Sequence, residues 1–276
     1  MIFTTEAIQS GLIEPIAQEL TPLSHDRARD MGSLQPTPAL RKQVYLNTLA
    51  VYGVHYHLLY ECDLWSEPEA SDSTHPIYQI LDGVAGIGLP RDLLIPKIGH
   101  VDCCALLPDQ TTIDIPVETI NDRAAYIAVQ FDRDTLEVVE LLGFFTPFDP
   151  NAPYAEVEVG DVEAGWHPMS ELSKHLSKEQ KFQDFKQSDD PLMQSLRQIE
   201  GLPELDNLLA QFSHLARRSG SKDRMEEKFL GVLINQEQPA IRQFELKGSN
   251  SETGQPDLSV LAADLANKFA EILGME

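Results

Sequence analysis

From Pro38 to Cys62 the chain reads PALRKQVYLNTLAVYGVHYHLLYEC, and this stretch limits the folds open to it. Tyr45, Leu49, Tyr52, Tyr56 and Leu59 recur at three- and four-residue steps, so they share one helical face. Val44, Val51, Val54, Leu58 and Cys62 make an adjoining stripe. A helix apolar over most of its circumference is buried, so the rest of the chain must fold around it. Thr37 is placed to cap it, and Pro38 suits a first turn where a missing N–H costs nothing. Arg41, Lys42 and Glu61 oppose the helix dipole, so packing rather than charge must hold the helix. Asn47, Thr48, His55 and His57 interrupt the apolar run, and a membrane span needs roughly 20 mainly apolar residues, so the stretch reads as core and not as a span.

Charge narrows the function classes. The 276 residues include 44 acidic and 21 basic side chains, a formal net charge of −23. Nucleic-acid binding depends on neutralising phosphates with Lys and Arg, so this field disfavours it, and anionic membrane surfaces are disfavoured for the same reason. A basic protein partner is the class that such a surface attracts. The acid is also concentrated: no Lys or Arg lies between Asp134 and Ser173, or between Gln43 and Pro90. Lys174, Lys178, Lys181 and Lys186 cluster, as do Arg217, Arg218, Lys222, Arg224 and Lys228. Cys62, Cys103 and Cys104 form an odd set without scaffold spacing, which fits a reducing cytoplasm. The first residues, MIFTTEAIQSGLIEPIAQ, lack the basic start and long apolar core of a signal peptide.

Along the chain, a short helix is expected after Thr4 or Thr5, and a polar one over Ser24–Met31, followed by Gly32. A polar loop anchored by Trp65 follows the long helix. The pattern then turns to strands: Leu93–Ile95, Val101–Leu107, Thr112–Ile115, Ala124–Phe131, Leu136–Phe145 and Tyr154–Val162, with Pro116–Ile120 as a helical turn. Short spacing and hairpin connections point to an antiparallel sheet. Helical periods return at Ser170–Leu176, Lys178–Phe185, Leu192–Ile199, Leu205–Leu215 and Leu258–Leu273. Glu226–Asn235 fits helix or strand, Ile241–Leu246 fits a strand, and Gly248–Gln255 reads as a linker.

Side chains able to do chemistry are present but scattered. His55 and His57 are two apart on a helix, so they point to different sides and cannot share a metal; they read as core or rim histidines. Cys62, His75, His100 and Cys103 offer zinc-ligand types without local spacing. In His100-Val101-Asp102-Cys103 strand alternation separates Cys103 from the face of His100 and Asp102, so a thiol and its base do not meet there. Cys104 shares the His100 face at too great a distance, and adjacent cysteines in a strand read as small buried hydrophobes. Gly83, Gly86 and Gly88 match no phosphate-binding pattern and suit turns. No catalytic, cofactor-binding or metal-ligating residue is assigned.

The blocks QVYLNTLAVYGVHYHL, SDSTHP, HVDCCALLP, IPVETINDRAAYIAVQFD and ELLGFF, over about residues 20 to 150, resemble the cyanobacterial domain-of-unknown-function family numbered 1822. Two positions depart from that pattern. Thr74 stands where Trp is usual, and Asp102-Cys103-Cys104 where Glu-Cys-Arg is usual, so no site is carried over. The resemblance implies a cyanobacterial, cytoplasmic protein and no particular activity. Its association with genes for sigma-type transcription factors and caspase-like proteins implies a regulatory or adaptor role.

The expected architecture is α+β: a long buried N-terminal helix on an antiparallel sheet over residues 20–165, then a mainly helical region over 166–276. The expected function is that of a non-enzymatic cytoplasmic regulatory or adaptor protein binding a basic protein partner. The alternatives are an enzyme, such as a hydrolase, with a dispersed site drawing on His100, Asp102 or Cys62, and a structural subunit of an obligate complex.

Overall fold

The computed structural model describes residues 13–62, 91–115, 123–132, 135–146, 156–198, 205–235 and 258–275. Its contacts divide into two units, residues 1–179 and 180–276. The expected short helix after Thr4, the loop at Trp65, the turn at Pro116–Ile120, the strand at Ile241–Leu246 and the linker at Gly248–Gln255 lie outside the described residues.

The first unit opens with strand β1 (Ile16–Glu19) and helix α1 (Pro22–Ser33), whose first turn is capped by the Thr21 hydroxyl accepting from Ser24 N–H. Helix α2 (Pro38–Glu61) is the long apolar stretch. As its sequence requires, Thr37 caps it, Pro38 lies in its first turn, and Val44 and Leu46 to Leu58 are all buried. Each buried Val or Leu contributes roughly 1.5–3 kcal/mol, which outweighs the unfavourable end charges. Two hydrogen bonds fasten α1 to α2, Tyr45 Oη with His25 Nδ1 at 2.8 Å and Tyr56 Oη with Thr21 Oγ1 at 2.7 Å. Gly53 lets α2 approach the sheet, since a Cβ there would stand 2.6 Å from Val139 Cγ2.

Strands β2 (Asp92–Ile95), β3 (Gly99–Leu106), β5 (Arg123–Phe131), β6 (Val138–Phe145) and the two-residue β8 (Trp166–His167) join β1 in one sheet of order β1-β6-β5-β3-β2, with β8 also on β6. Strands β4 (Thr112–Asp114) and β7 (Glu156–Glu158) pair as a second, small sheet. The fold is α+β, as expected, but the main sheet is mixed, because β3 and β5 run parallel. The reason is topological. After β3 the chain leaves the sheet to form β4, and a strand re-entering after such an excursion can run parallel, whereas a hairpin cannot. Strands β1 and β8 were not expected, and β7 is shorter than the Tyr154–Val162 run suggests.

Alternation gives the main sheet two buried faces. Val101, Cys103, Ala125, Ile127, Val129, Val139 and Leu141 pack under α2, with Leu172 and Leu176. Cys104, Leu106, Tyr126, Ala128, Leu142 and Phe145 pack on the other side with Ile113, Val157 and Trp166. The expected helices at Ser170–Leu176 and Lys178–Phe185 are a single helix, α3 (Leu172–Gln187), entered through a 3-10 turn at Met169–Glu171. No glycine or proline lies between the two runs, so nothing ends the first.

The second unit contains the end of α3 with α4 (Pro191–Gln198), α5 (Leu205–Ser219), α6 (Lys222–Asn235) and α7 (Leu258–Leu273). Met225, Phe229 and Leu233 are buried at four-residue steps, which settles α6 as helix. Phe182, Phe185, Phe212 and Phe229 surround Phe269, with ring centroids 5.0 to 6.4 Å from it.

Candidate functional site

Strand β3 carries His100, Asp102, Cys103 and Cys104. Cys103 N–H donates to Arg91 carbonyl at 2.7 Å, which fixes Arg91 at the start of β2 beside β3. Arg91 Nε then donates to Asp102 Oδ1 at 2.7 Å, and Nη2 to Asp102 Oδ2 at 2.8 Å. Nη2 also reaches Cys104 Sγ at 3.2 Å and the Asp114 carbonyl at 3.0 Å, and Cys104 Sγ donates to Asp102 Oδ1 at 3.6 Å. The cluster ties β2, β3 and β4 together.

Its electrostatics argue against nucleophilic chemistry at Cys104. Burial pushes the Cys104 thiol well above its ordinary range, the Asp102 charge adds to this, and Arg91 opposes it. The nucleophile is the thiolate, and this thiol stays protonated at neutral pH. For Arg91, burial works against the charge, but Cys104 and Asp102 outweigh it and raise the guanidinium above its ordinary value. With the thiol protonated, the carboxylate of Asp102 is the group that holds Arg91. The arrangement is a bidentate, charge-assisted clamp.

The other named residues are kept apart. Cys62 and Cys103 are in the core under α2, while Asp102 bonds to Cys104 on the opposite face of the sheet. His100 is half-buried, and its buried Nδ1 has no hydrogen-bond partner among the described residues. His55 and His57 are both buried in α2; the His55 ring lies 5.4 Å from that of Tyr56, and His57 Nδ1 has no hydrogen-bond partner among the described residues. Burial holds the His57 imidazole below its ordinary pKa, with Glu61 opposing. His75, Gly83, Gly86 and Gly88 lie outside the described residues. Among the described residues no group of three or more His, Cys, Asp or Glu side chains is arranged to hold a metal ion, and no helix is long and apolar enough to cross a membrane.

One cluster was missed in the sequence. His167 and His175 flank Phe144, with ring centroids 5.1 and 5.2 Å from it. His175 Nε2 lies 2.8 Å from the Ala124 carbonyl, and His167 Nε2 lies 3.2 Å from Thr146 Oγ1. Each histidine has a glutamate one turn on, Glu171 at 3.5 Å and Glu179 at 3.8 Å. The repeated His-x-x-x-Glu spacing was the available signal.

The small sheet carries an acidic face. Ile113 and Val157 point inward, while Thr112, Asp114, Glu156 and Glu158 are exposed. Asp114 stands opposite Glu156, and Glu158 opposite Thr112. Asp161 and Glu163 are exposed in the turn that follows β7. Like charges directly opposite on adjacent strands are mildly destabilising.

The model of one family, described as protein of unknown function (DUF1822), matches residues 19–251, and the chain belongs to that family. No curated protein and no solved structure matches the chain.

Proposed function

We propose that this member of the DUF1822 family is a non-enzymatic, cytoplasmic regulatory or adaptor protein that docks a basic protein partner on the outer face of β4 and β7. The observation that carries this reading is the facing pair Asp114 and Glu156, with Glu158 beside it, on strands whose opposite face is core. Such a surface raises the encounter rate with a positive patch and repels acidic molecules. Three buried cysteines without disulfide-scaffold spacing support a reducing compartment.

The test is affinity capture from the native cell with the wild-type chain and with a D114N/E156Q/E158Q variant, washed with rising salt. Basic proteins held by the wild type, released by salt and missing from the variant support the reading; salt should weaken contacts between exposed charges. Direct titration of each captured protein against both chains follows. If every captured protein is retained equally by both chains at all salt concentrations, the reading fails.

A further inference from the structure

In the second unit α4 and α7 border an open groove of about 410 Å³. Leu192 of α4 and Val260 and Leu261 of α7 give it an apolar floor, and Asp190, Asp264 and Glu271 line it with carboxylates. Val260 is 56% exposed, a large apolar side chain left in water. Along α7, Val260, Asp264, Asn267 and Glu271 follow one another at steps of four, three and four, so they form a single stripe. The opposite face of α7, including Leu265 and Phe269, is in the core.

The charge in the groove is unbalanced. Among the described residues its cation is Lys268, engaged by Glu271, Nζ to Oε2 at 3.2 Å, and 5.9 Å from the Phe185 ring centroid. Asp190 uses Oδ1 to accept from Leu192 N–H at 2.9 Å and cap α4. The Asp264 carboxylate is exposed beside Val260 on the same stripe.

We propose that this groove takes an amphipathic helical segment of another protein, with an apolar anchor against Val260 and Leu192 and Lys or Arg side chains toward Asp264 and Asp190. Two helices flanking an apolar floor form the seat that a third amphipathic helix fills, with anchors at one-turn spacing. The charge selects among occupants. A second copy of this chain carries the same net charge of −23, which opposes its approach at long range. Nucleic acid and anionic lipid are repelled for the same reason. The groove belongs to the unit that lacks β4 and β7, so it is a surface additional to the acidic sheet face and is tested by separate variants.

The test is fluorescence anisotropy of a short amphipathic Leu/Lys peptide titrated with the full chain, beside a Leu/Glu peptide of the same pattern. The Leu/Lys peptide is expected to bind and the Leu/Glu peptide not to. Substitutions V260Q and D264K, both at exposed positions, are expected to weaken binding about tenfold each while leaving the thermal melt unchanged. D114N/E156Q/E158Q is expected to leave this binding intact. The proposal is overturned if the Leu/Lys peptide fails to bind, or if V260Q and D264K leave its affinity unchanged. Loss of binding only in the sheet variant also overturns it, while leaving the acidic face of β4 and β7 in place as the docking surface.

Discussion

Arg91 and Asp102 meet through two hydrogen bonds, Nε to Oδ1 at 2.7 Å and Nη2 to Oδ2 at 2.8 Å, with side chains only 18% and 4% exposed. Removing one partner of such a pair leaves a charge with no compensation, whereas replacing both with apolar groups removes the problem. D102A is therefore expected to destabilise the first unit by about 3 kcal/mol. R91M/D102L is expected to recover most of that loss. Urea denaturation monitored by circular dichroism measures both, and a D102A chain as stable as wild type would show that the clamp contributes nothing.

The same cluster predicts thiol reactivity. Cys62, Cys103 and Cys104 are 6%, 0% and 4% exposed, and burial with the Asp102 charge keeps the Cys104 thiol protonated. Alkylation by iodoacetamide in native buffer at neutral pH is expected to leave all three unmodified, and added denaturant to expose all three. Mass spectrometry reads the outcome. Stoichiometric modification of Cys104 in native buffer would contradict the described packing.

Gly143 tests the bulge in β6. The β5–β6 register slips between Ala128 and Val129, so Leu142 is extra, and Gly143 takes φ +154°. A Cβ there would stand 2.5 Å from Trp166 Cζ2 and 2.7 Å from the His167 carbonyl oxygen. Strain and overpacking act together, and G143A is expected to cost about 3 kcal/mol. Gly99 also has positive φ, +120°, but a Cβ there meets nothing within 4 Å among the described residues. G99A should then cost about 1 kcal/mol, from backbone strain alone. Equal losses at the two positions would mean that contact with Trp166 is not what requires glycine.

The helix α2 was legible because three signals agreed: the capping Thr37, Pro38 in the first turn, and apolar residues at helical steps over the whole span. The faces of β5 were legible for a similar reason, since a period of two separates Tyr126 and Ala128 from Ala125, Ile127 and Val129. The parallel pairing of β3 with β5 was not, because nothing local in Thr112–Asp114 records that its partner is Glu156–Glu158. Strand β8 has two residues, and its pairing with Phe144 and Phe145 defines it, so no period could reveal it. The Arg91 clamp escaped for the same reason: eleven positions separate Arg91 from Asp102, and β2–β3 pairing brings them together. The acidic interval from Asp134 to Ser173 was plain in the sequence, but the opposition of Asp114 to Glu156 required the register.

His57 gives a pH dependence of defined sign. Its folded pKa lies below the ordinary 6.5, chiefly because burial disfavours the imidazolium. Above the ordinary value both folded and unfolded chains keep it neutral, so its contribution is constant there. As pH falls below 6.5 the unfolded chain binds the proton first, and stability falls until the folded pKa is reached. The difference in unfolding free energy between wild type and H57Q is expected to be flat above about pH 7 and to move against the wild type toward about pH 5. Urea midpoints across that range measure it. A difference that does not vary with pH would show that His57 is not held neutral by burial.

Asp114 separates stability from binding. Its carboxylate faces that of Glu156 across β4 and β7, where like charges oppose pairing. D114N keeps the shape and removes the repulsion, so it is expected to stabilise the first unit by about 0.5 kcal/mol at low salt. That gain should shrink as salt rises, because both groups are exposed. The same substitution is expected to weaken capture of a basic partner, since it removes one of the charges that would meet it. A side chain kept solely for the fold would show the opposite sign, losing stability when neutralised. If D114N melts lower than wild type at low salt, Asp114 contributes to folding, and the argument that its charge is held for a partner fails.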